Sequence, residues 1–199
     1  VQTIDDTVLA NAAKWITDRQ KADGSWEPVG FVIHSELVGG QNGNLALSAF
    51  VTMALLEYGH ADPAVVQKAV SYLESQITAE KMDSYVLSLI TYTLMKAGSP
   101  AADTALEKLI GQAIVDGNGT HWEPHPIETT GYAAMALTAK NRVEAQSALR
   151  WLAAQRNSLG GYGTTQDTVV ALKALTAAAV TQSRNLDARV EVIVNGQSV

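Results

Sequence analysis

The chain has no cysteine among its 199 residues. That excludes disulfides and thiolate metal sites, and it removes thiol usage as a guide to compartment. Aromatic residues are also scarce, at 6% with only two Phe. A core must therefore be built from Ala, Leu, Val and Ile, which suits close helix–helix packing. Basic runs are missing: Lys and Arg stand singly, and the net charge is −6. This is the wrong sign for a nucleic-acid partner, which needs a basic face. The longest apolar stretches, such as Ala174–Val180, fall far short of the roughly 20 residues a membrane helix needs. Nothing at Val1 resembles a secretory leader, so the chain reads as an internal or processed piece.

What remains is the composition of one globular domain, with 47% hydrophobic and 17% charged residues. Its pattern is helical. Val8, Leu9, Ala12, Trp15 and Ile16 recur three and four apart, predicting an amphipathic helix over Asp5–Gln20. A polar turn around Gly24 stops it. Leu45–Tyr58 is apolar nearly all round, as a helix buried on most sides would be. Gly59 ends it, and Asp62–Pro63 starts the next. The alternation then repeats. Pro63–Gln76 is amphipathic and Asp83–Lys96 apolar; Ser99 to about Val115 is followed by apolar Glu128–Lys140; amphipathic Val143–Gln155 precedes apolar Gln166–Val180.

These pairs make four hairpins, each with an outward and a buried helix, and they share letters as well as shape. Trp15-Ile16…Gln20…Gly24-Ser25-Trp26 is echoed by Trp151-Leu152…Gln155…Gly160-Gly161-Tyr162. Repetition over a few tens of residues marks an architecture whose units bury their faces against neighbours. The predicted fold class is all-α, a partial α/α toroid of about four hairpins spanning residues 1–185. A closed ring needs more hairpins, so apolar surface is expected to lie bare near the N-terminus. Residues 186–199 are read as a linker and the first strand of a following β domain, because Val190, Val192 and Val194 alternate before the Asn195–Gly196 turn signal.

Three stretches carry a resemblance. The first is Arg19-Gln20-Lys21-Ala22-Asp23-Gly24-Ser25-Trp26, with Val32-Ile33-His34-Ser35-Glu36 and Leu47-Ser48-Ala49-Phe50-Val51 after it. Next come His121-Trp122-Glu123-Pro124 and Glu128-Thr129-Thr130-Gly131-Tyr132. Last is Gly160-Gly161-Tyr162-Gly163-Thr164-Thr165-Gln166-Asp167-Thr168-Val169-Val170-Ala171-Leu172. In this order they resemble the thioester-containing domains of the alpha-2-macroglobulin and complement superfamily. The resemblance implies a parent protein with an internal thioester made from the Cys and Gln of a Cys-Gly-Glu-Gln motif. This chain contains no such motif, so the bond would lie upstream. His34 matches the family's catalytic histidine, and its role would be nucleophilic catalysis through an acyl-imidazole. Glu36 would orient that imidazole or share its proton transfers. The implied targets are hydroxyl-bearing surfaces such as carbohydrate, or proteases, with neighbouring domains of the same parent as partners. The implied setting is extracellular, or periplasmic in a bacterium. No cofactor is implied, and the activity would be covalent attachment or endopeptidase inhibition, without turnover.

Other constellations are weaker. His121 and His125 have ligand-like spacing, but Pro124 and Pro126 prevent a helix that would align them. Gly160-Gly161-Tyr162-Gly163 lacks the lysine and preceding strand of a phosphate loop. Asn118-Gly119-Thr120 fits a glycosylation sequon. Asp5, Asp6, Glu80 and Asp83 read as solvated surface. Two alternatives stay open: an enzyme like the triterpene cyclases, whose Gln-Trp repeats the Gln20–Trp26 segment resembles, and a non-covalent binding module.

Overall fold

The computed structural model describes residues 4–30, 43–78, 82–184, 193–194 and 197–198. Among these described residues eight α-helices follow one another: α1 (Asp6–Thr17), α2 (Gly43–Tyr58), α3 (Pro63–Gln76), α4 (Ser84–Lys96), α5 (Ala101–Gly111), α6 (Pro126–Ala139), α7 (Glu144–Ala154) and α8 (Thr165–Arg184). Their ends obey local chemistry. The Asp5, Asp62 and Asp83 carboxylates accept from the backbone N–H of Thr7, Ala64 and Val86, capping α1, α3 and α4. Pro63 sits in the first turn of α3, and Gly59 and Gly98 take positive φ just past α2 and α4.

The helices form two layers. α2 packs on α4, α4 on α6 and α6 on α8, while α3, α5 and α7 lie outside, each packed mainly on the inner helix before it (α2, α4 and α6) and less on the one after, and α1 touches α2 sparsely. This is an arc of an α/α toroid, with inner helices side by side. The apolar sequence of the inner helices becomes burial on most sides in the middle of the arc: Val86, Leu87, Leu89, Ile90 and Leu94 of α4 are all 2% exposed or less. Small residues let the helices approach. A Cβ on Gly131 of α6 would come within 2.6 Å of Val170 Cγ1 on α8.

The expected helix from Ser99 to Val115 stops short. α5 ends at Gly111, and Ile114–Asp116 (β1) pairs antiparallel with Gly119–His121 (β2). The reason is tertiary. Gly119 lies so close to α7 that a Cβ would stand 2.6 Å from the Ser147 carbonyl, Thr120 Oγ1 donates to Ser147 Oγ, and His121 stacks on Trp151 at 4.7 Å. Near the other end Ile193–Val194 (β3) pairs antiparallel with Gln197–Ser198 (β4). Apolar side chains near the N-terminus are bare as expected, with Ile4 63%, Val8 58% and Trp15 50% exposed.

Candidate functional site

The two residues singled out by resemblance, His34 and Glu36, fall within 31–42, outside the described residues. What the structure does place is the end of the arc where that segment joins α2 at Gly43. There side chains from the N-terminal halves of the four inner helices line a cavity of about 380 Å³. Leu47 and Phe50 come from α2, Tyr85 and Leu89 from α4, Glu128 from α6 and Gln166 from α8.

Glu128 is the chemical centre of this mouth. It is the third residue of α6, where the unpaired N–H groups and the helix dipole favour a negative charge. It is only 9% exposed. Tyr85 Oη donates to its Oε1 at 3.1 Å, and Gln166 Nε2 donates to the same oxygen at 3.2 Å. Burial, reinforced by the Glu128 charge, pushes the Tyr85 phenol far above its ordinary pKa, so Tyr85 remains a neutral donor. Tyr132, one turn farther along α6, is raised for the same two reasons.

Local sequence sets each of these side chains. Ahead of α6, His125 takes a left-handed conformation (φ 55°) and its ring meets Tyr85 edge-on at 5.1 Å. Thr129 Oγ1 donates back to the Pro124 carbonyl. Trp122, fully buried, donates from Nε1 to the Leu109 carbonyl at 2.6 Å and anchors this entry loop. Gln166 follows the glycine-rich turn. Asn157 Oδ1 accepts from the N–H of Leu159 and Gly161, and Gly160 takes φ 84°. A reciprocal cap then starts α8: Thr164 N donates to Asp167 Oδ2 while Asp167 N donates to Thr164 Oγ1, both at 3.0 Å. The glycines form a turn between helices that delivers Gln166 to the mouth. His121 and His125, which share a ligand-like spacing, instead engage separate rings, Trp151 and Tyr85.

A second polar group joins α2, α4 and α8 farther along the inner helices. Glu57 accepts from Lys173 at 2.5 Å and pairs with Lys96 at 3.4 Å, and both ammonium groups lie near the Tyr92 ring. Sequence reasoning had placed Glu128 and Gln166 inside matched stretches without assigning them chemistry, and had passed over Tyr85. The available signal was a lone carboxylate opening an otherwise apolar helix.

Comparison with known proteins bears on both fold and site. Residues 1–177 match the sequence profile of the A-macroglobulin TED domain. Thioester-containing protein 1 allele R1 of Anopheles gambiae is 35% identical over 196 residues, covering 93% of this chain. Ovostatin of Gallus gallus is 32% identical over 199 residues, covering 87%. The chain spans only 14% of the length of either relative. Among the described residues no helix is long and apolar enough to cross a membrane.

Proposed function

Since the chain belongs to the A-macroglobulin TED domain family, we propose that it serves a parent protein in covalent attachment to hydroxyl groups on target surfaces, with His34 as nucleophilic catalyst. The observation that carries this reading is the family match, which runs through position 34 and agrees with the Val32-Ile33-His34 resemblance. The thioester itself would come from residues outside 1–199, because the chain has no cysteine.

The chemistry follows in two steps. A neutral imidazole nitrogen of His34 attacks the thioester carbonyl, the C–S bond breaks, and thiolate leaves. A target hydroxyl then attacks the acyl-imidazole; the C–N bond breaks, an ester forms, and the thiolate takes the hydroxyl proton. Water competes by the same route. Glu36 orients the imidazole or relays its proton. Each thioester reacts once, so this is stoichiometric coupling and not turnover. Carbohydrate on a surface, or a protease held by the parent, is the target, and the parent works outside the cytoplasm alongside neighbouring domains.

The test compares labelled glycerol with a labelled small amine after activation of the intact parent, in wild type and His34→Asn. Glycerol coupling and hydrolysis are expected to fall sharply, while amine coupling persists or rises. An unchanged ratio would falsify the role of His34.

A further inference from the structure

We propose that Asn118 is an N-linked glycosylation site, modified on its Nδ2 amide before the β1–β2 hairpin docks on α7. The inference rests on the reading above only in placing the parent outside the cytoplasm. It adds a modification site that the acyl-transfer chemistry does not use.

The acceptor triplet Asn118-Gly119-Thr120 is short enough to arise by chance, so its placement in the fold decides. All three residues lie in the hairpin, with Gly117 and Asn118 forming the turn between the paired residues Asp116 and Gly119. Asn118 is exposed, as are Asp116 and Gly117 before it. A bulky polar group has room there. Asp116 sets the turn: its Oδ1 accepts from the N–H of Asn118 at 2.8 Å and of Gly119 at 3.1 Å. Gly119 takes φ 140°, a conformation that residues with side chains rarely adopt. The asparagine thus stands at the tip, while Gly119 and Thr120 are buried beneath it. Strand β1 is exposed along its length, with Ile114 43% and Val115 74% exposed. A bare apolar edge invites pairing with other chains, and a glycan two residues past its end blunts it.

The transfer joins the asparagine amide to a sugar and requires the hydroxyl two residues on to meet the transferase. Asn118 Nδ2 attacks the anomeric carbon of an oligosaccharide carried on a lipid pyrophosphate. The N–C bond forms and the C–O bond to pyrophosphate breaks. The lipid pyrophosphate leaves, and Nδ2 gives one proton to a base of the transferase. In the folded chain Asn118 is open to this reaction but Thr120 is not. Thr120 is 6% exposed, and its Oγ1 donates to Ser147 Oγ at 2.9 Å. Gly119 lies so close to the Ser147 carbonyl that even a Cβ would stand 2.6 Å from it, and His121 stacks on Trp151 just beyond. Ser147 follows Thr120 by 27 residues, so a growing chain presents the triplet before the helix that closes it is made. Attachment therefore precedes docking, and the exposed tip keeps the glycan outside the closed hairpin.

The test secretes the intact parent from a eukaryotic cell, once with its own leader and once with a supplied one. Trypsin cuts after Lys108 and Lys140, and mass spectrometry reads the 109–140 peptide. In wild type this peptide is expected to carry an N-linked glycan that peptide-N-glycosidase removes. Asn118→Gln and Thr120→Val, which keeps the shape but loses the hydroxyl, are expected to abolish it; Thr120→Ser is expected to retain it. For the timing, unglycosylated parent is offered to oligosaccharyltransferase with lipid-linked donor, either folded or freshly diluted from denaturant. Modification is expected in the diluted chain and nearly none in the folded one. A bare Asn118 in parent secreted by the supplied leader overturns the site, and equal modification of folded and diluted chain overturns the order of events. If the parent is retained in the cytoplasm with its own leader but glycosylated with the supplied one, the extracellular reading falls and the site stands.

Discussion

Helices α6 and α1 both carry apolar residues at helical spacing, yet ten of the fourteen residues of α6 are buried and none of the twelve in α1 is. α6 lies between α4 and α8 with α7 outside it, whereas α1 touches the arc sparsely, at α2. α8 is intermediate. It buries Val170, Ala171 and Ala174 against the arc but leaves Val169 57% and Leu172 42% exposed. Periodicity in the sequence states which face of a helix is apolar. Neighbours on both sides decide whether that face is out of water, and in a repeat architecture those neighbours are separate terms in stability.

The largest expected effect tests that contrast directly. Leu137→Ala on α6 removes a fully buried side chain from a site that cannot collapse, and is expected to cost about 3 kcal/mol. Leu9→Ala on α1, where the side chain is 36% exposed, is expected to change stability by less than about 0.5 kcal/mol. Urea unfolding of the two variants beside wild type measures both. Equal losses would mean that α1 is covered in solution.

A smaller effect probes how tightly the middle of the arc closes. Gly131→Ala would set a methyl 2.6 Å from Val170 Cγ1 and is expected to cost about 2 kcal/mol through overpacking between α6 and α8. Adding Val170→Ala opens room, so the double variant is expected to be more stable than the sum of the single losses by about 1 kcal/mol. Strict additivity in a double-mutant cycle would show that the two helices stand farther apart.

The same contrast explains what was legible in the sequence. The inner and outer helices, their capping aspartates and the stops at Gly59 and Gly98 are local chemistry, and local patterns specify them. The β1–β2 hairpin was missed because three-residue strands carry no alternation worth reading. Contacts of Gly119, Thr120 and His121 with α7 hold it in place, and these are fixed only by the fold. The mouth was opaque for a similar reason. Tyr85 and Gln166 lie 43 and 38 residues from Glu128, and only the side-by-side inner helices bring the three together. His34 and Glu36 are singled out by family resemblance alone and lie outside the described residues; spacing by itself gives them no distinction.

The smallest effect concerns the polar tie that links α2 to the α4 and α8 side of the arc. Burial works to raise the Glu57 pKa, but hydrogen bonding to Lys173, with the charges of Lys173 and Lys96, outweighs it, and the folded pKa lies below the ordinary 4.5. A depressed folded pKa means that the stabilisation is fully present above the unfolded value and is lost as pH falls through the folded one. Glu57 and Lys173 are 39% and 40% exposed, so solvent screens the pair, and Glu57→Gln at pH 7 is expected to cost no more than about 1 kcal/mol. The gap between variant and wild type should stay constant from neutral pH down to about 5, then close as Glu57 takes up its proton below its unfolded pKa. Unfolding midpoints of both proteins across pH 3–7 read this out. A gap that persists at the acid end would mean that Glu57 contributes through packing of its methylenes against the Tyr92 side of the arc. A gap that also shrinks in high salt at pH 7 would confirm that charge carries the tie. Apolar burial in the middle helices would then outweigh the ionic link from α2 to α8 by at least about threefold, the ratio of the Leu137→Ala and Glu57→Gln losses.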